Sequence, residues 1–236
     1  ILIPTSKELR RGGVLKRSVE GALTIAPKSG VYFNTVVTDF ESLYPSVIDS
    51  YNLSYETVNC EHEECRKNTA SGVNHHVCTK RRGFYSVLTG ALKDLRIHWF
   101  KPLSKDPSVS EEERRSAEAL SKLLKLLTVS SYGVTVRIHG LASTPLAESI
   151  TGYGRCVLQT AWNMADEHGL RPTYGDTDSL FLDNPSEAGV KWLITIMKEK
   201  LRLDLAVEKR YPVCVLPKAK KAYFGILEDG TPDIKG

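Results

Sequence analysis

The stretch "YGDTDS", residues 174–179, places Asp176 and Asp178 on either side of one threonine, between two short apolar runs. It predicts a β-hairpin with a tight turn that carries two carboxylates, which repel each other. One interpretation is a plain turn, because Gly and Asp suit turn backbones. The other is that a divalent cation bound by the two carboxylates relieves the repulsion. The hairpin alone leaves both interpretations open.

A third acid follows a predicted strand much earlier in the chain. Residues 31–38 (VYFNTVVT) are β-branched and aromatic, which favours a buried strand that ends at Asp39. If this strand and the hairpin belong to one sheet, three carboxylates converge. Such a set can hold two magnesium ions of the kind that promote phosphoryl transfer. The alternative is that Asp39 only ends a strand and the other two acids only serve a turn.

The remaining patterns predict alternating helices and strands. A short helix is expected within residues 42–51, with Ser42 as a cap. Apolar periodicity predicts helices over residues 86–101 and 111–131, joined as an antiparallel hairpin. Their expected apolar faces are Leu88, Leu92, Leu95 and Trp99 in the first helix, and Ala117, Leu120, Leu124 and Leu127 in the second.

The second half of the chain is expected to contain a helix from Pro145 to the residue before Gly169, followed by the hairpin. A helix over 187–200 and strands over 205–215 and 223–227 complete it. Helices and strands in this order predict an α+β fold whose antiparallel sheet carries acids at its strand ends.

Composition sets the broad class of the protein. The chain has 236 residues, of which 41% are hydrophobic, enough for one large domain or two coupled ones. Neither a membrane span nor a secretory leader is expected, because the sequence has no long apolar run and no charged-then-apolar start.

Charge and cysteine content add little. The formal charge of +4 is too small to indicate nucleic-acid binding by itself. Basic clusters at residues 7–16, 80–82 and 218–221 are each compatible with a solvated surface. Five cysteines without a regular pattern predict a reduced, cytosolic chain.

Residues 60–78 concentrate three cysteines and three histidines. One hypothesis is a zinc site, for which Cys60, Cys65, His75 and Cys78 are the candidate ligands, although their spacings match no standard zinc finger. A Cys65–Cys78 disulfide is a second interpretation if the source is a hyperthermophile. A plain polar loop is the third.

Three segments, "DFESLYPS" (39–46), "KLLTVSSYG" (125–133) and "YGDTDS" (174–179), occur in this order along the chain. They resemble the three polymerase motifs of family B DNA polymerases, most of all those of the archaeal replicative members. "KKAY" (220–223) resembles the family's later K-K-x-Y motif, and "AESITGYGR" (147–155) resembles the segment between the second and third motifs. The resemblance covers nearly the whole chain.

The resemblance implies an antiparallel-sheet polymerase palm with an inserted helical-hairpin fingers subdomain. The implied palm covers residues 1–82 and 138–236, ending before the thumb, and the implied fingers cover 83–137. The implied activity is two-metal transfer of a dNMP from a dNTP to a primer 3′-hydroxyl in DNA replication. Two Mg²⁺ ions, primer–template DNA and dNTP are the implied cofactor and partners. The rest of a parent polymerase or a separate subunit would supply the exonuclease and thumb regions. The implied location is cytoplasmic, at the nucleoid.

The family's acidic and DNA-binding residues carry over to matching positions. The catalytic acids are Asp39, Asp176 and Asp178, and the implied metal ligands are Asp39, Asp178 and the backbone carbonyl of Phe40. The residues implied to hold the primer strand are Lys220, Lys221 and Tyr223.

The implied nucleotide-binding residues are Ser42, Leu43, Tyr44, Arg96, Lys125 and Tyr132. Backbone N–H groups of Ser42 and Leu43 would receive the triphosphate at a helix start. Tyr44 would reject a ribose 2′-hydroxyl. Arg96 and Lys125 would neutralise the triphosphate charge.

Four positions depart from the family pattern. Val129 replaces the asparagine of the second motif, Val136 replaces a glycine that often follows it, and Phe100 replaces a lysine beyond the fingers arginine. Val19 replaces a tyrosine in an element near the template. The metal acids are retained while these contacts are not, so a catalytically silent paralogue that binds DNA or acts as a scaffold is the alternative function.

Overall fold

The computed structural model describes residues 19–137 and 141–236, so the basic cluster at residues 7–16 lies outside the described part. The chain forms two compact units. The sheet unit comprises Gly21–Leu43 and Gly154–Gly236, and the helical unit is built on Tyr44–Tyr153. Among the described helices, none combines the length and the apolar character that crossing a bilayer requires.

The sheet unit contains an antiparallel sheet with seven described strands in the order β1-β3-β4-β2-β5-β6-β7. This confirms the predicted α+β fold with an antiparallel sheet. Strand β2 is central, pairing with β4 on one side and with β5 on the other. The strands are β1 (Thr24–Ile25), β2 (Gly30–Phe40), β3 (Pro172–Asp176), β4 (Ser179–Leu182), β5 (Leu205–Leu216), β6 (Tyr223–Ile226) and β7 (Pro232–Lys235).

The core of this unit explains why the sheet forms around β2. The β-branched run of β2 buries four consecutive residues, Thr35 to Thr38, as expected for a central strand covered on both faces. One core cluster consists of Val37, Tyr174, Phe181, Tyr211, Cys214 and Leu216. The rings of Phe181 and Tyr174 lie 5.2 Å apart, in a tilted arrangement typical of aromatic pairs.

Two edge strands were not predicted from the sequence. Strand β1 has only two residues, and β7 consists of Pro232–Lys235, whose side chains are mostly exposed. A turn in which Leu227 donates its N–H to the Thr231 carbonyl brings β7 alongside β6. Gly230 adopts a φ of 83° in this turn, a backbone conformation that favours glycine. Strands of two and four residues are too short to show the apolar periodicity on which sequence prediction depends.

Helices occur close to the positions that the sequence predicted. They are α1 (Leu43–Ser50), α2 (Phe84–Asp94), α3 (Lys101–Leu103), α4 (Glu111–Arg137), α5 (Thr144–Glu167) and α6 (Glu187–Leu201). Ser186 caps α6 by accepting a hydrogen bond from the Gly189 N–H. The expected helix over residues 86–101 is continuous in the structure, but Leu95–Phe100, between α2 and α3, is a π-helix rather than an α-helix. A π-helical turn has no signature in apolar periodicity.

The predicted apolar faces of the helical hairpin were only partly correct. In α2 the buried residues are Ser86, Thr89 and Gly90, whereas Trp99 in the π-helix is 64% exposed. In α4 the expected Ala117 and Leu124 are buried, but Leu120 and Leu127 are exposed. The remaining buried positions of α4 are Thr128, Ser131 and Thr135. Small side chains allow close packing, so the buried face here is selected by size rather than by hydrophobicity.

Gly90 provides a test of this close packing. An added Cβ at Gly90 would lie 2.5 Å from Cγ of Asp49, whose carboxylate already pairs with Arg82 and Lys93. We therefore expect Gly90→Ala to lower the free energy of unfolding by about 1–3 kcal/mol through overpacking, measured by chemical denaturation.

The matched control is Gly133→Ala in α4. Apart from the adjacent residues and the nearby backbone of α4 itself, no described heavy atom lies within 4 Å of a Cβ placed at Gly133. Since alanine is the better helix former, this change should stabilise the protein by up to about 1 kcal/mol. Equal effects of the two substitutions would contradict the packing described for α2.

Candidate active site

The end of β2 and the β3–β4 hairpin bring the predicted acids together. Asp39 is the penultimate residue of β2 and pairs with Ser179, the first residue of β4. The Phe40 N–H donates to the Asp178 carbonyl at 2.9 Å. Residues far apart in sequence are therefore neighbours, because β2 and β4 are adjacent antiparallel strands. The structure thus confirms that Asp39 lies beside the β3–β4 hairpin, as the sequence predicted.

The turn of the hairpin is tight and strained. Thr177 has a φ of 60°, in the left-handed region that a β-branched residue rarely adopts. The Asp178 N–H donates to the Asp176 carbonyl at 2.7 Å, and the Thr177 N–H donates to the Leu23 carbonyl at 2.9 Å. The second bond ties the turn to the segment that precedes β1. These contacts hold a conformation that would otherwise be unfavourable, and strain of this kind is common at functional sites.

The carboxyl groups of Asp39 and Asp178 strongly influence each other. Burial raises the pKa of Asp39 to about 8, with further contributions from the charge of Asp178, the charge of Glu208 and a side-chain hydrogen bond to Asp178. Burial also raises the pKa of Asp178, and the charges of Asp176 and Glu208 add to this effect. Both groups are thus held where their ionised forms are poorly solvated and repel each other. A cation bound between them would relieve both penalties.

Asp176 is in a different environment from the other two acids. Its Oδ1 accepts hydrogen bonds from Lys221 Nζ at 2.6 Å and from the Thr24 hydroxyl at 3.0 Å. The Thr177 hydroxyl donates to the same oxygen at 3.3 Å. Asp176 is therefore compensated by neighbouring protein groups, and its supporting role in metal binding stays a prediction.

Glu208 was not identified from the sequence. It lies on β5, where the register with β2 shifts: Thr38 pairs with Val207, whereas Val37 pairs with Lys209. Glu208 is thus the extra residue of a β-bulge, a feature that redirects a side chain and often occurs near active sites. Its charge contributes to the raised pKa of Asp39. A bulge in β5 has no signal in the sequence, because it depends on pairing with a distant strand.

These acids line one pocket of about 380 Å³. Its charged lining residues are Asp39, Asp176, Asp178, Glu208, Lys221 and Lys235. Four acids against two lysines give the pocket an excess of negative charge. An acidic pocket of this size suits small cations more than anions, unless cations are bound first.

The predicted DNA-binding residues lie beside this pocket. Lys220 Nζ donates to the Thr24 carbonyl at 2.9 Å, and the Lys221 N–H donates to the Tyr174 hydroxyl at 2.9 Å. Tyr223 packs edge-on against Phe181 with ring centroids 5.1 Å apart. Lys221 and Tyr223 line the pocket itself. Their contact with a primer strand stays a prediction.

The predicted nucleotide-binding residues of the helical unit lie on α1, the π-helix and α4. The rings of Tyr44 and Tyr132 are 5.1 Å apart, so α1 and α4 meet at this pair. Arg96 lies within the π-helix. Lys125 is exposed on α4, and so is Val129, one turn further along.

The other two predicted nucleotide-binding residues, Ser42 and Leu43, belong to the sheet unit. Ser42 precedes α1 and has a φ of 54°, and Leu43 is the first residue of α1. Their contact with a nucleotide stays a prediction.

The Cys/His segment has a defined structure in the helical unit. Ligand atoms of four residues lie within 4.8 Å of one another, and these residues are Cys60, His62, Cys65 and Cys78. The sequence-based set included His75 in place of His62. The structure places His75 elsewhere, with Nδ1 3.2 Å from the Asn59 amide and Nε2 2.7 Å from the Glu148 carboxylate. All five cysteines are free, so the Cys65–Cys78 disulfide is not formed.

Several known proteins are similar to this chain in sequence, and a solved structure is similar to it in fold. A DNA polymerase 1 from Sulfurisphaera ohwakuensis is 38% identical over all of this chain, which spans 28% of that protein's length. A DNA polymerase 1 from Saccharolobus solfataricus is also 38% identical, and this chain spans 27% of it.

A solved structure of the family B DNA polymerase from Pyrobaculum calidifontis matches 95% of this chain and 30% of its own chain, with a TM-score of 0.72 and 30% identity. The sequence model for DNA polymerase family B matches residues 3–236. A match over nearly the whole chain, together with these relatives, shows the family. The chain belongs to DNA polymerase family B.

Proposed function

We propose that this chain carries the nucleotidyl-transfer centre of a DNA-directed DNA polymerase, which adds a dNMP from a dNTP to a primer 3′-hydroxyl in DNA replication. The observation that carries the proposal is the pairing of Asp39 with Asp178 across adjacent strands, in an acidic pocket that raises the pKa of both carboxyls. The relatives named DNA polymerases support the same reaction class.

The donor set fits Mg²⁺. Magnesium prefers a small number of hard carboxylate oxygens and completes its coordination with water and substrate phosphates. Asp39 and Asp178 supply such oxygens, and the backbone carbonyl of Phe40 is the further ligand that the family resemblance implies. When bound, two such ions make the 3′-hydroxyl a better nucleophile and neutralise charge on the leaving pyrophosphate. The raised pKa values indicate that burial and neighbouring acids outweigh any compensating charge at the two carboxyls, including the charge of Lys221 near Asp178.

The protein's own residues have separate roles in the proposed reaction. Asp39 and Asp178 hold the cations, while Asp176, fixed by Lys221, keeps the turn in place. Lys220, together with Lys221 and Tyr223 beside the pocket, is proposed to bind phosphates of the primer strand. Such contacts position DNA without reading its sequence.

The proposed subdomains follow the family pattern. Residues 1–82 and 138–236 form the palm, and residues 83–137 form the fingers, whose Arg96 and Lys125 bind the triphosphate. Because the chain spans 28% of a matched polymerase, we propose that other polymerase regions, on the same protein or on a partner subunit, contribute to binding primer–template DNA.

A second candidate function is a silent paralogue that binds DNA or acts as a scaffold. The observation that favours it is Val129, which is 61% exposed on the same α4 face as Lys125. An exposed valine at the position of a family asparagine offers no hydrogen bond to a nucleotide. One lost hydrogen bond costs about 0.5–1.5 kcal/mol, which reduces a rate without abolishing it. The catalytic proposal therefore has priority.

Asp178→Asn tests the proposed activity. We expect magnesium-dependent extension of a labelled primer by one nucleotide with the natural full-length protein, and a loss of at least about a thousandfold with the variant. The reason is that removing a charged metal ligand removes transition-state stabilisation of several kcal/mol. Manganese binding, followed by electron paramagnetic resonance, provides a readout that does not require turnover.

The matched control is Asp229→Asn, the same chemical change in the turn before β7, outside the pocket. It should retain full extension and manganese binding. If the parent protein binds manganese and primer–template DNA but never extends the primer, the silent-paralogue function is correct and the catalytic proposal is wrong.

Tyr44→Ala tests the sugar-selectivity role that the family resemblance implies. Removing the ring should raise the use of ribonucleotides relative to deoxyribonucleotides by about tenfold or more, because a steric barrier to the 2′-hydroxyl is lost. Tyr44→Phe keeps the ring and should retain the parent's selectivity. A Tyr44→Ala protein that incorporates dNTPs and still excludes ribonucleotides would contradict this role.

Asp39→Asn tests the electrostatics of the acid pair. With a pKa of about 8 against an ordinary value of 3.8, the folded protein binds the extra proton between those values, so the free energy of unfolding falls as pH rises through this window. The variant should show a smaller fall, since Asp178 keeps a raised pKa of its own. Without magnesium at pH 8, it should be more stable than the parent by on the order of 1–3 kcal/mol.

The measurement is thermal unfolding across this pH range in magnesium-free buffer, repeated with added magnesium. Magnesium should stabilise the parent protein but not Asp39→Asn. Asp229→Asn should leave the fall unchanged, since that carboxyl is exposed and its pKa is lowered. Identical pH profiles for the parent and Asp39→Asn would show that the pKa of Asp39 is not raised by its burial and its acidic neighbours.

A further inference from the structure

We propose that Cys60, His62, Cys65 and Cys78 bind one structural zinc ion, which fixes the segment leading into helix α2. This site is separate from the carboxylate pocket and from the residues proposed to bind nucleotide or DNA. Three thiols and one imidazole are ligands that zinc accepts in structural sites, where four protein ligands close the coordination shell.

The spacing of the ligand atoms fits a tetrahedral ion. All four atoms lie within 4.8 Å of one another, and Cys78 Sγ is 3.5 Å from His62 Nδ1. Zinc bonds of about 2.0–2.3 Å in a tetrahedron separate ligand atoms by about 3.4–3.8 Å. Since no pair is more than 4.8 Å apart, the ligand atoms need to approach one another by at most about 1 Å to bind an ion. The three cysteines are free, so no disulfide competes for the thiols.

The cluster is buried, although its loop is polar. Cys65 is fully buried, Cys60 and Cys78 are nearly so, and the three form a small core cluster of their own. The residues between them include an exposed, highly charged 3₁₀ helix, Glu63–Lys67. Such a loop has few apolar side chains with which to build a core. A bound ion would supply the cross-link that hydrophobic packing does not.

The surrounding backbone holds the two ends of the loop together. Val58 and Val77 form an isolated antiparallel bridge, and the Asn59 N–H donates to the His76 carbonyl at 2.8 Å. The Thr79 N–H points at Cys65 Sγ at 3.4 Å. Hydrogen bonds from backbone N–H groups to a ligand sulfur stabilise the thiolate form and are typical of the groups that surround metal ligands.

The two other histidines of the segment have different partners. Both ring nitrogens of His75 contact side chains outside the cluster, those of Asn59 and Glu148. His76 Nε2 lies 2.8 Å from the Cys60 carbonyl oxygen. His62 is therefore the histidine of the segment whose ring nitrogen belongs to the ligand set. Of the three histidines in this segment, only His62 is therefore proposed as a zinc ligand.

The site is connected directly to the start of α2. The Asn52 amide donates to the carbonyls of Cys78 and Arg81, at 2.9 and 2.8 Å. The Gly83 N–H, at the N-cap of α2, donates back to the Asn52 side chain at 2.8 Å. Fixing Cys78 thus fixes the residues from which the helix begins. Loss of the ion should loosen the attachment of α2 and lower stability.

Binding of zinc involves no redox step. The three thiols release their protons to solvent, three Zn–S bonds and one Zn–N bond form, and the waters of the hydrated ion are displaced. The imidazole coordinates in its neutral form through Nδ1. With all four positions occupied by protein, no site remains for a reacting water, so the role is structural.

The first test is the metal content of the natural full-length protein, purified without chelator or affinity metal. We expect one equivalent of zinc per chain by elemental analysis, and cobalt substitution should give the charge-transfer and visible bands of tetrahedral thiolate coordination. A protein that contains no zinc, does not take up added zinc or cobalt, and retains free thiols or a disulfide in this loop would overturn the proposal. These measurements do not depend on any variant folding.

Variants assign the ligands. His62→Ala should lower zinc content and the melting temperature, whereas His75→Ala should retain one zinc ion. Cys65→Ser should lose the cobalt charge-transfer band, whereas Cys156→Ser, at an exposed cysteine outside the cluster, should keep it. Retention of zinc by His62→Ala together with its loss from His75→Ala would show that the ligand set is not the one proposed.

Discussion

The backbone pairing between β2 and β4 is the constraint on which the carboxylate pocket depends. It sets Asp39 opposite Ser179 and joins Phe40 to the Asp178 carbonyl. Two carboxyl groups that repel each other and are poorly solvated would separate if they were free to move. The central strand of a well-packed sheet does not allow this, because its register is fixed by buried side chains on both faces. The sheet thus holds the charges in an arrangement that favours a cation.

The other charged groups of the pocket modify this central pair. Glu208, on the bulge in β5, adds a further negative charge. Lys221 contacts Asp176 directly and only partly offsets the raised pKa of Asp178, so Asp39 and Asp178 are the less compensated acids. This division distinguishes the acids chemically, although the motif makes Asp176 and Asp178 look equivalent. In the proposed reaction, the less compensated acids hold the cations and the compensated acid keeps the turn in its strained conformation.

The helical unit depends on different physical features. Its hairpin packs through small residues, such as Gly90 against Asp49 and Ser131 below the Tyr85 hydroxyl. Many of its leucines remain exposed. Its polar loop, residues 60–78, gathers buried thiols where an ordinary loop would have none. Close packing therefore acts within α2, at Gly90, and the proposed ion acts at the start of this helix.

The sequence by itself determined the family, the α+β class, most helix and strand positions, and the convergence of Asp39 with the hairpin acids. These follow from local periodicity and from motifs, which are written in consecutive residues. Only the tertiary structure decided that Glu208 joins the pocket, that His62 rather than His75 lies with the cysteines, and that Trp99 is exposed. A bulge, a loop closure and the choice of a buried helix face all depend on contacts between distant segments, and periodicity within one segment carries no information about them.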